Sequence, residues 1–230
     1  MGCARKYQRG WDRVCARIRA LSAGSLRESG DSPVPLLPAC ARGGALTEAE
    51  IEGLGRDGWF MREAFGPAAA TATVAQARVG AYHASRVSSD AGSGSASRSD
   101  RTQWVAVDDP DLGALHEGFE ALRVEVNEGA WLGLTRFDVQ LAHYASGGSG
   151  YAPHLDAARG RPGRRLTAVS FLNPVWQATD GGRLKLHLEH PVEIDPRLGH
   201  LVVFLSERVT HEVLPTFAAR FAATAWYYAD

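Results

Sequence analysis

A histidine and an aspartate lie two positions apart in the stretch GYAPHLDAARG, residues 150–160, which is polar and flanked by glycine. Side chains two positions apart on an extended chain point to the same side, so His154 and Asp156 can face one centre. An imidazole and a carboxylate that converge in this way can bind one metal ion, and one more ligand would complete a site. The candidates for that third ligand are the other histidines of the chain: His83, His116, His143, His187, His190, His200 and His211.

Among these candidates His211 stands out because of its surroundings. The stretch SERVTHEVLP follows the hydrophobic run LVVFL directly, and its polar composition predicts a loop that carries His211. Two histidines and one carboxylate on one face of a metal, with open positions opposite, are typical of non-haem Fe(II) oxygenases. We therefore expect His154, Asp156 and His211 to bind a divalent metal.

The spacing alone is a weak signal, because a histidine and a carboxylate two positions apart are often just two solvent-facing residues. His187 and Glu189 have the same spacing, but leucines alternate with polar residues in that stretch: Leu184, Leu186 and Leu188. This period of two is typical of a half-buried strand with one wet face. We expect His187 and Glu189 to be ordinary surface residues.

An arginine in an apolar stretch supports the metal hypothesis. Arg220 opens the run RFAATAWYY, nine residues after His211, and strand alternation places Arg220 and Thr224 on one face. An inward-facing arginine costs free energy unless an anion pairs with it, and a guanidinium binds a carboxylate through two parallel hydrogen bonds. A metal beside such a receptor indicates a dicarboxylate that also binds the metal, and 2-oxoglutarate is a molecule of this kind.

The elements that must position these side chains are short strands. From Leu134 onward, strand-like runs alternate with turns rich in glycine, proline and asparagine: FDVQLAHY, LTAVSFLN, RLKLHLEH, LVVFL and RFAATAWYY. Many short strands separated in this way are the pattern of a β-sandwich or barrel.

The preceding half of the chain predicts helices. Thr47 and Glu50 form a capping-box signature, and Gly55 or Gly58 would end the helix that follows. The alanine-rich residues 66–84 read as a helix that ends near His83.

Residues 108–129 read as an amphipathic helix that starts with acidic residues and has one apolar face: Leu112, Leu115, Phe119 and Leu122. The runs WFMREAF and RTQWVAV read as strands, and residues 85–100 have the composition of a mobile loop. Helices followed by a β-rich half give an α+β fold class.

The composition is that of an ordinary globular protein. The 230 residues are 45% hydrophobic and 22% charged, with a formal net charge of -1, so nucleic acid is not expected as a partner. No run approaches the length of a membrane span. The three cysteines all lie within the first 45 residues, which leaves no thiols for a disulfide framework elsewhere: Cys3, Cys15 and Cys40. We expect a cytoplasmic monomer without a membrane partner.

The charge is concentrated at the start of the chain. Residues 1–45 contain eight basic and three acidic residues, a net charge of +5, which leaves -6 for the remainder. We interpret residues 1–43 as a disordered extension and residues 44–230 as one domain with its β-rich core at about 134–230. Apolar residues at helical spacing between Trp11 and Leu21 leave a basic amphipathic helix, or an organellar transit peptide, as alternatives.

The motifs HYASGGSGYAPHLD, LTAVSFLNPVW, DGGRLKLH and RVTHEVLPTFAARFAATAWYY follow one another in an order and spacing that resemble a known family. They are similar to the prolyl 4-hydroxylase type of Fe(II)/2-oxoglutarate dioxygenase, and most of all to the oxygen-sensing HIF prolyl hydroxylases and their bacterial relatives. The resemblance covers about residues 45–230 and is strong from Phe137 onward.

The resemblance implies a jelly roll, or double-stranded β-helix, packed by helices from the N-terminal half. It implies Fe(II) bound by His154, Asp156 and His211, and Arg220 as the residue that holds the distal carboxylate of 2-oxoglutarate. The same co-substrate pocket would be lined by further residues: Tyr144, Phe171, Leu184, Val213 and Thr224. A peptide groove would be bordered by residues from four segments: Arg98, Asp100, Tyr151, Arg164, Arg165 and Trp226. Residues 98–104 would end a loop that closes over the substrate.

One residue departs from the family pattern. The HIF-type enzymes have a tyrosine at the position of Phe171, and its hydroxyl helps to bind the distal carboxylate. Phe171 has no hydroxyl, and a hydrogen bond to a charged group contributes about 1.5–3 kcal/mol. We expect weaker co-substrate binding or a substitute hydroxyl. Arg220 itself favours the HIF-like branch, since the collagen-type enzymes use lysine there.

Three functions remain open at this point. The first is a prolyl 4-hydroxylase that acts on a proline in a flexible protein segment, consumes O2, releases succinate and CO2, and uses ascorbate as a reductant. Bacterial relatives imply a translation elongation factor as one candidate substrate. The second is a dioxygenase of the same chemistry that hydroxylates a small molecule or another side chain. The third is a non-catalytic, metal-binding jelly roll.

Overall fold

The computed structural model describes residues 45–85, 98–157 and 163–229. The basic extension at residues 1–43 and most of the loop at residues 85–100 lie outside these ranges, so both remain predictions. Residues Gly43–Asp230 form one compact unit. None of the helices described is long and apolar enough to cross a membrane.

The described residues contain three α-helices: α1 (Glu48–Arg56), α2 (Ala68–Ala77) and α3 (Gly113–Ala130). They also contain eleven strands, in chain order: β1 (Trp59–Arg62), β2 (His83–Ala84), β3 (Arg101–Val105), β4 (Arg136–Tyr144), β5 (Ser149–His154), β6 (Arg164–Phe171), β7 (Leu184–His187), β8 (Val192–Ile194), β9 (Leu201–Leu205), β10 (Thr210–Thr216) and β11 (Arg220–Tyr228).

Helix α1 begins at the predicted capping box. The Glu50 backbone N–H donates to the Thr47 hydroxyl at 3.3 Å, and the Thr47 N–H donates to the Glu50 carboxylate at 2.8 Å. The helix ends at Arg56, and Gly58 follows with φ +86° and donates its N–H to Gly53 O at 3.0 Å. Glycine reaches this left-handed conformation without a Cβ clash, so both predicted ends of α1 are confirmed.

Helix α2 ends earlier than the sequence predicted. It stops at Ala77, and His83 lies in β2, where it pairs with Thr102 of β3. Tyr82 turns into the core between them, and its hydroxyl donates to Ala75 O at 3.2 Å. The prediction of a helix to about His83 was wrong because strand pairing and the burial of Tyr82 override the helical propensity of the alanines.

Helix α3 presents the apolar face that its sequence predicts. Leu115, Phe119 and Leu122 are buried, and Leu112 is buried just before the first turn. The Phe119 ring lies 6.4 Å from the Phe137 ring, and Phe119 O accepts a hydrogen bond from the Tyr227 hydroxyl at 2.9 Å. Helix α3 therefore packs on the outer face of β4 and β11.

The strands form two antiparallel sheets. The major sheet has the order β1-β9-β6-β11-β4-β3-β2, and the minor sheet has the order β5-β10-β7-β8. The predicted runs from FDVQLAHY to RFAATAWYY are all strands. Strands β5 and β8 were not predicted.

The stretch that carries His211 is a strand and not a loop. Strand β10 spans Thr210–Thr216 and pairs with β5 on one side and β7 on the other. Its burial alternates, with His211 and Val213 inside and Glu212 between them facing outward. Residues 206–208 do form a turn, but the loop prediction was wrong from Thr210 onward, because the outward-facing Thr210 and Glu212 alternate with the buried His211 and Val213 on a central strand.

A buried apolar cluster fills the space between the two sheets. The major sheet contributes Tyr144, Val169 and Phe171, and the minor sheet contributes Leu184 and Val213. Two sheets with a shared core and helices on the outer face of the larger sheet give the α+β jelly roll that the sequence predicted.

Candidate metal centre and co-substrate pocket

Two central residues of the candidate site are held by strand pairing. His211 of β10 lies directly opposite His154 of β5 in the antiparallel register. The two imidazole centroids are 4.3 Å apart. The structure thus brings the predicted third ligand to the first, although the two residues are 57 positions apart in the chain.

The backbone fixes which nitrogen of each ring is available. His154 Nδ1 lies 2.8 Å from Ala152 O, and His211 Nδ1 lies 3.2 Å from Val209 O. A carbonyl can only accept, so each Nδ1 carries the proton and each Nε2 presents its lone pair. Metal-binding histidines are oriented in proteins by hydrogen bonds of this kind.

Asp156 completes the cluster from beyond the end of β5. Its Oδ1 lies 3.7 Å from His154 Nε2, and its Oδ2 lies 3.8 Å from His211 Nε2. Oδ2 also accepts a hydrogen bond from the Thr167 hydroxyl at 2.8 Å. All three potential ligands have little contact with solvent, with side-chain exposures of 13%, 8% and 7% for His154, Asp156 and His211.

The electrostatics of the cluster favour the protonation states that a cation requires. Burial alone would raise the pKa of the Asp156 carboxyl, but His211, His154 and Arg164 outweigh it and hold the pKa well below its usual range. Burial lowers the pKa of His211 to about 4, although Asp156 acts in the opposite direction. The resting state is therefore an ionised carboxylate beside a neutral imidazole.

This donor set fits Fe(II). One ligand atom from each of the three residues lies within 4.8 Å of the others, and no second trio of His, Cys, Asp or Glu in residues 45–85, 98–157 and 163–229 comes together in this way. Imidazole and carboxylate donors on one side of an ion are the set that non-haem iron uses.

The other histidines lie elsewhere in the fold. His83 and His190 are exposed, His187 contacts Glu212 at 3.1 Å, and His200 Nδ1 lies 3.3 Å from Asp195 O. The prediction that His187 lies on the wet face of a half-buried strand is confirmed, because Leu184 and Leu186 beside it are buried.

Arg220 lies in the same interior as the three ligands. It is 4% exposed, and its Nε donates to Gly182 O at 2.8 Å. The guanidinium carbon lies 4.9 Å from the centroid of the Tyr144 ring and 5.3 Å from that of Phe171. Burial lowers the pKa of Arg220, since the charged form is desolvated there. The remaining donors of the guanidinium are those that an incoming carboxylate would use.

Gly182 lies directly against the side chain of Arg220. It has φ +71°, and a Cβ on it would lie 2.9 Å from Arg220 Cδ and 3.1 Å from Thr216 Oγ1. Only glycine combines this backbone conformation with so close an approach. Gly182 was not predicted from the sequence, where the dipeptide Gly181-Gly182 was the available signal.

The other predicted pocket residues lie on strands that face the same interior. Tyr144 pairs with Arg220 in the register of β4 and β11, and Leu184 pairs with Val213 in that of β7 and β10. Strand alternation puts Thr224 on the same face as Arg220. Burial raises the pKa of Tyr144, so its hydroxyl stays protonated and can donate a hydrogen bond.

Three of the six predicted groove residues connect to the ligand cluster through the Tyr151 ring: Tyr151, Arg98 and Asp100. Tyr151 stacks on His154 with centroids 3.7 Å apart, and Arg98 covers the Tyr151 ring at 4.6 Å. Arg98 also holds the buried Asp100 carboxylate through two hydrogen bonds of 2.7 Å and 2.6 Å.

Arg164 and Trp226, two further predicted groove residues, contact one another. Arg164 lies 4.0 Å above the Trp226 ring and donates to Asp156 O at 3.4 Å. Arg165 pairs instead with Glu207 at 3.8 Å. Trp104 lies 5.5 Å from Trp226 and is 56% exposed. The structure therefore links Arg164 and Trp226 to the ligand cluster and places Arg165 beside a surface acid.

Two residues near the site were missed in the sequence. Thr167 bonds to Asp156, and Ser206 lies 2.9 Å from Thr167. The available signal was alternation on β6, where Thr167, Val169 and Phe171 share the inward face and only Thr167 is polar.

Comparison with known proteins identifies the family. The family model described as the 2OG-Fe(II) oxygenase superfamily matches residues 139–228. The crystal structure of a Pseudomonas putida prolyl-4-hydroxylase superimposes with a TM-score of 0.70 and 31% identity, over 79% of this chain and 98% of that one. The chain belongs to the prolyl 4-hydroxylase family of 2OG-Fe(II) oxygenases.

Relatives of this prolyl 4-hydroxylase family member include animal proteins. A Trichoplax adhaerens prolyl hydroxylase, solved in complex with a peptide fragment of the hypoxia inducible factor oxygen degradation domain, has a TM-score of 0.68 and 27% identity, over 78% of this chain and 87% of that one. The hypoxia-inducible factor prolyl hydroxylase of Caenorhabditis elegans is 43% identical over 40% of this chain, and human Egl nine homolog 1 is 32% identical over 57%. The matches span only 13% and 33% of the length of these two curated relatives.

Proposed function

We propose that this protein is an Fe(II)- and 2-oxoglutarate-dependent prolyl 4-hydroxylase that acts on a proline in a flexible protein segment. The observation that carries the proposal is the presence of two complementary receptors in one interior. His154, Asp156 and His211 offer three ligands to a cation, and the buried Arg220 offers its guanidinium to an anion. A dicarboxylate that also binds the metal satisfies both.

The chain's own residues prepare the metal end. The carbonyls of Ala152 and Val209 keep the two Nε2 lone pairs directed inward, so neither imidazole has to rotate when the ion arrives. His154, Asp156 and His211 would hold the Fe(II). With 2-oxoglutarate and O2, the bound ion supplies the chemistry that hydroxylates a C–H bond, and succinate and CO2 are released.

Arg220 would hold the distal carboxylate of 2-oxoglutarate. A guanidinium without nearby water binds a carboxylate more strongly than an exposed one does, because the effective dielectric constant is low. Phe171 and Tyr144 exclude water from the guanidinium, and the protonated Tyr144 hydroxyl is available as an additional donor. We propose Tyr144 as the substitute for the hydroxyl that Phe171 lacks.

A groove beside the metal end would hold the peptide. Trp104 is 56% exposed beside the buried Trp226 and offers an aromatic face to the solvent, whereas the Tyr151 ring is already contacted by His154 and Arg98. A proline ring presents flat apolar faces and no backbone N–H, so aromatic surfaces suit it better than acceptor groups. The Trichoplax adhaerens relative in complex with its peptide supports a protein substrate.

Succinate formation from 2-oxoglutarate tests this proposal. The assay contains Fe(II) and ascorbate, with and without a protein extract, for wild type and His211→Ala. We expect turnover that rises with the extract and is lost in the variant, together with a proline in an extract protein that gains the mass of one oxygen atom. Ser170→Ala is the control, since Ser170 is buried on the opposite face of β6.

The outcomes separate the three functions. Turnover that does not depend on protein extract but increases with a pool of small molecules would indicate a small-molecule substrate in place of a protein proline. A lack of succinate under every condition would leave a metal-binding jelly roll without catalysis. A translation elongation factor is the first candidate to examine among the modified proteins.

A further inference from the structure

The three metal-binding side chains are not held in the same way. His154 and His211 lie in paired strands and face one another in register. Asp156 lies two residues beyond the end of β5, in a bend that continues into a segment outside the described residues. Strand pairing therefore does not fix the carboxylate, and something else must hold it.

Two hydroxyls from the opposite sheet make the contacts that hold it. Thr167 of β6 donates to Asp156 Oδ2 at 2.8 Å, and Ser206, directly after β9, lies 2.9 Å from the Thr167 hydroxyl. Ser206 O also accepts the backbone N–H of Ala157 at 3.3 Å. Thr167 and Ser206 are both completely buried. Ser206 thus supports the Asp156 segment through its side chain and through its backbone.

Counting protons fixes the direction of the hydrogen bonds. An ionised carboxylate only accepts, so the single hydroxyl proton of Thr167 must point to Asp156. Thr167 then has no proton left for Ser206, and the Ser206 hydroxyl must donate to Thr167. The two bonds run from Ser206 to Thr167 to Asp156, and each polarises the next.

We propose that Thr167 is a positioning residue for the metal and that Ser206 acts through it. The Thr167 hydroxyl takes up one lone pair of Oδ2 and thereby favours Oδ1, on the side of His154, as the ligand oxygen. A carboxylate held in this way would bind the ion through one oxygen and would leave other positions free for co-substrate and O2. This role rests on the proposed Fe(II) site but not on the identity of the substrate.

The test measures metal binding to the whole chain without substrate. Thr167→Val keeps the branched shape and removes the hydroxyl, so the metal-free protein should fold but unfold at a lower temperature, because two buried groups lose a partner. We expect Mn(II) and anaerobic Fe(II) to bind about 10–100-fold more weakly, the usual loss when a residue that orients a ligand is removed. The charge-transfer absorption of the Fe(II) complex with 2-oxoglutarate should shift as well.

Two further variants separate positioning from packing. Thr167→Ser restores a hydroxyl and should recover most of the metal affinity. Ser170→Ala removes another buried hydroxyl of β6, which has no hydrogen-bond partner in the structure, and should bind metal as the wild type does. Ser206→Ala should lose less affinity than Thr167→Val, since the direct bond to Asp156 remains.

Wild-type metal affinity in Thr167→Val, or an equal loss in Ser170→Ala, would overturn the proposal. If Thr167→Val does not fold, Ser206→Ala provides the test. An unchanged metal affinity together with an unchanged charge-transfer band in Ser206→Ala would overturn the proposal. A protein that binds metal normally but hydroxylates no proline would refute the proposed function and leave the positioning role intact.

Discussion

The metal end and the Arg220 end of the interior treat a buried charge differently. At the metal end, the Asp156 carboxylate has the Thr167 hydroxyl and two imidazoles around it. At the other end, Arg220 has one carbonyl and two aromatic rings, and no carboxylate of the described residues lies within ion-pair distance of it. The charge of Asp156 is stabilised by other residues of the chain, whereas the charge of Arg220 is available to a ligand.

This difference has a consequence for binding. Asp156 and Arg220 carry opposite charges that sum to zero, and the charges of Fe(II) and 2-oxoglutarate also sum to zero. Either ligand alone leaves the low-dielectric interior with two uncompensated charges, which is unfavourable. The two ligands should therefore bind with positive coupling, and each end can be tested through the ligand of the other.

The largest effect is expected at the metal end. Asp156→Asn keeps the shape of the side chain and removes its charge, so metal binding and succinate formation should fall below detection. Metal titration by calorimetry and the succinate assay measure the two losses. Retained turnover at wild-type metal concentration would show that Asp156 is not a ligand.

The next largest effect is expected for Arg220→Gln, which breaks only the anion end. Losing a buried charged partner costs about 2–5 kcal/mol, so the KM for 2-oxoglutarate should rise by roughly 30-fold or more. Metal affinity measured without 2-oxoglutarate should change little. A variant that loses both affinities equally would mean that Arg220 supports the fold and not the co-substrate.

A smaller and opposite effect is expected for Phe171→Tyr. The ring of Phe171 lies 5.3 Å from the guanidinium carbon of Arg220, so a hydroxyl there would reach the same carboxylate. One added hydrogen bond to a charged group contributes about 1.5–3 kcal/mol, and the KM for 2-oxoglutarate should fall by roughly tenfold or more.

Tyr144→Phe provides the matched comparison for that gain. It should raise the KM for 2-oxoglutarate in the wild-type background, and the increase should be smaller when Phe171→Tyr is also present. Equal effects of Tyr144→Phe in both backgrounds would rule out Tyr144 as the substitute hydroxyl.

The smallest expected effect is a pH dependence of folding stability that arises from His143. His143 stacks on Phe221 at 4.6 Å, and burial, followed by Arg101, lowers its pKa. The fold favours the neutral ring, so this stability is fully present above the unfolded pKa of about 6.5 and is lost as the pH falls toward the folded pKa. The urea midpoint of the metal-free wild type should fall more between about pH 7 and pH 5 than that of His143→Phe. Urea midpoints that fall equally with pH in the wild type and in His143→Phe would contradict this prediction.

Local signals in the sequence predicted the local structure correctly. The capping box of Thr47 and Glu50 located the start of α1, and the leucine alternation around Leu184 located β7. These features depend on residues within one turn or one strand, so the pattern is visible without the fold. The convergence of His154 and Asp156 was expected from an extended chain, but Asp156 lies in a bend beyond the end of β5, where the Thr167 hydroxyl contacts it.

Features that depend on distant residues were not visible. The stretch around His211 looked like a loop because polar residues outnumber apolar ones in it, and the strand is defined only by its neighbours β5 and β7. The bonds from Ser206 to Thr167 and on to Asp156 join three segments, and neither hydroxyl differs in sequence from an ordinary buried one.

The absence of a side chain at Gly182 determines how deep Arg220 can lie. A methyl group there would meet Arg220 Cδ at 2.9 Å, and the guanidinium would have to move to avoid it. The distance from the guanidinium to the metal ligands would change with that movement, and so would the length of the dicarboxylic acid that fits between them. A randomised library at position 182, selected for turnover, should return glycine, whereas selection for a different chain length of the acid should begin at this position.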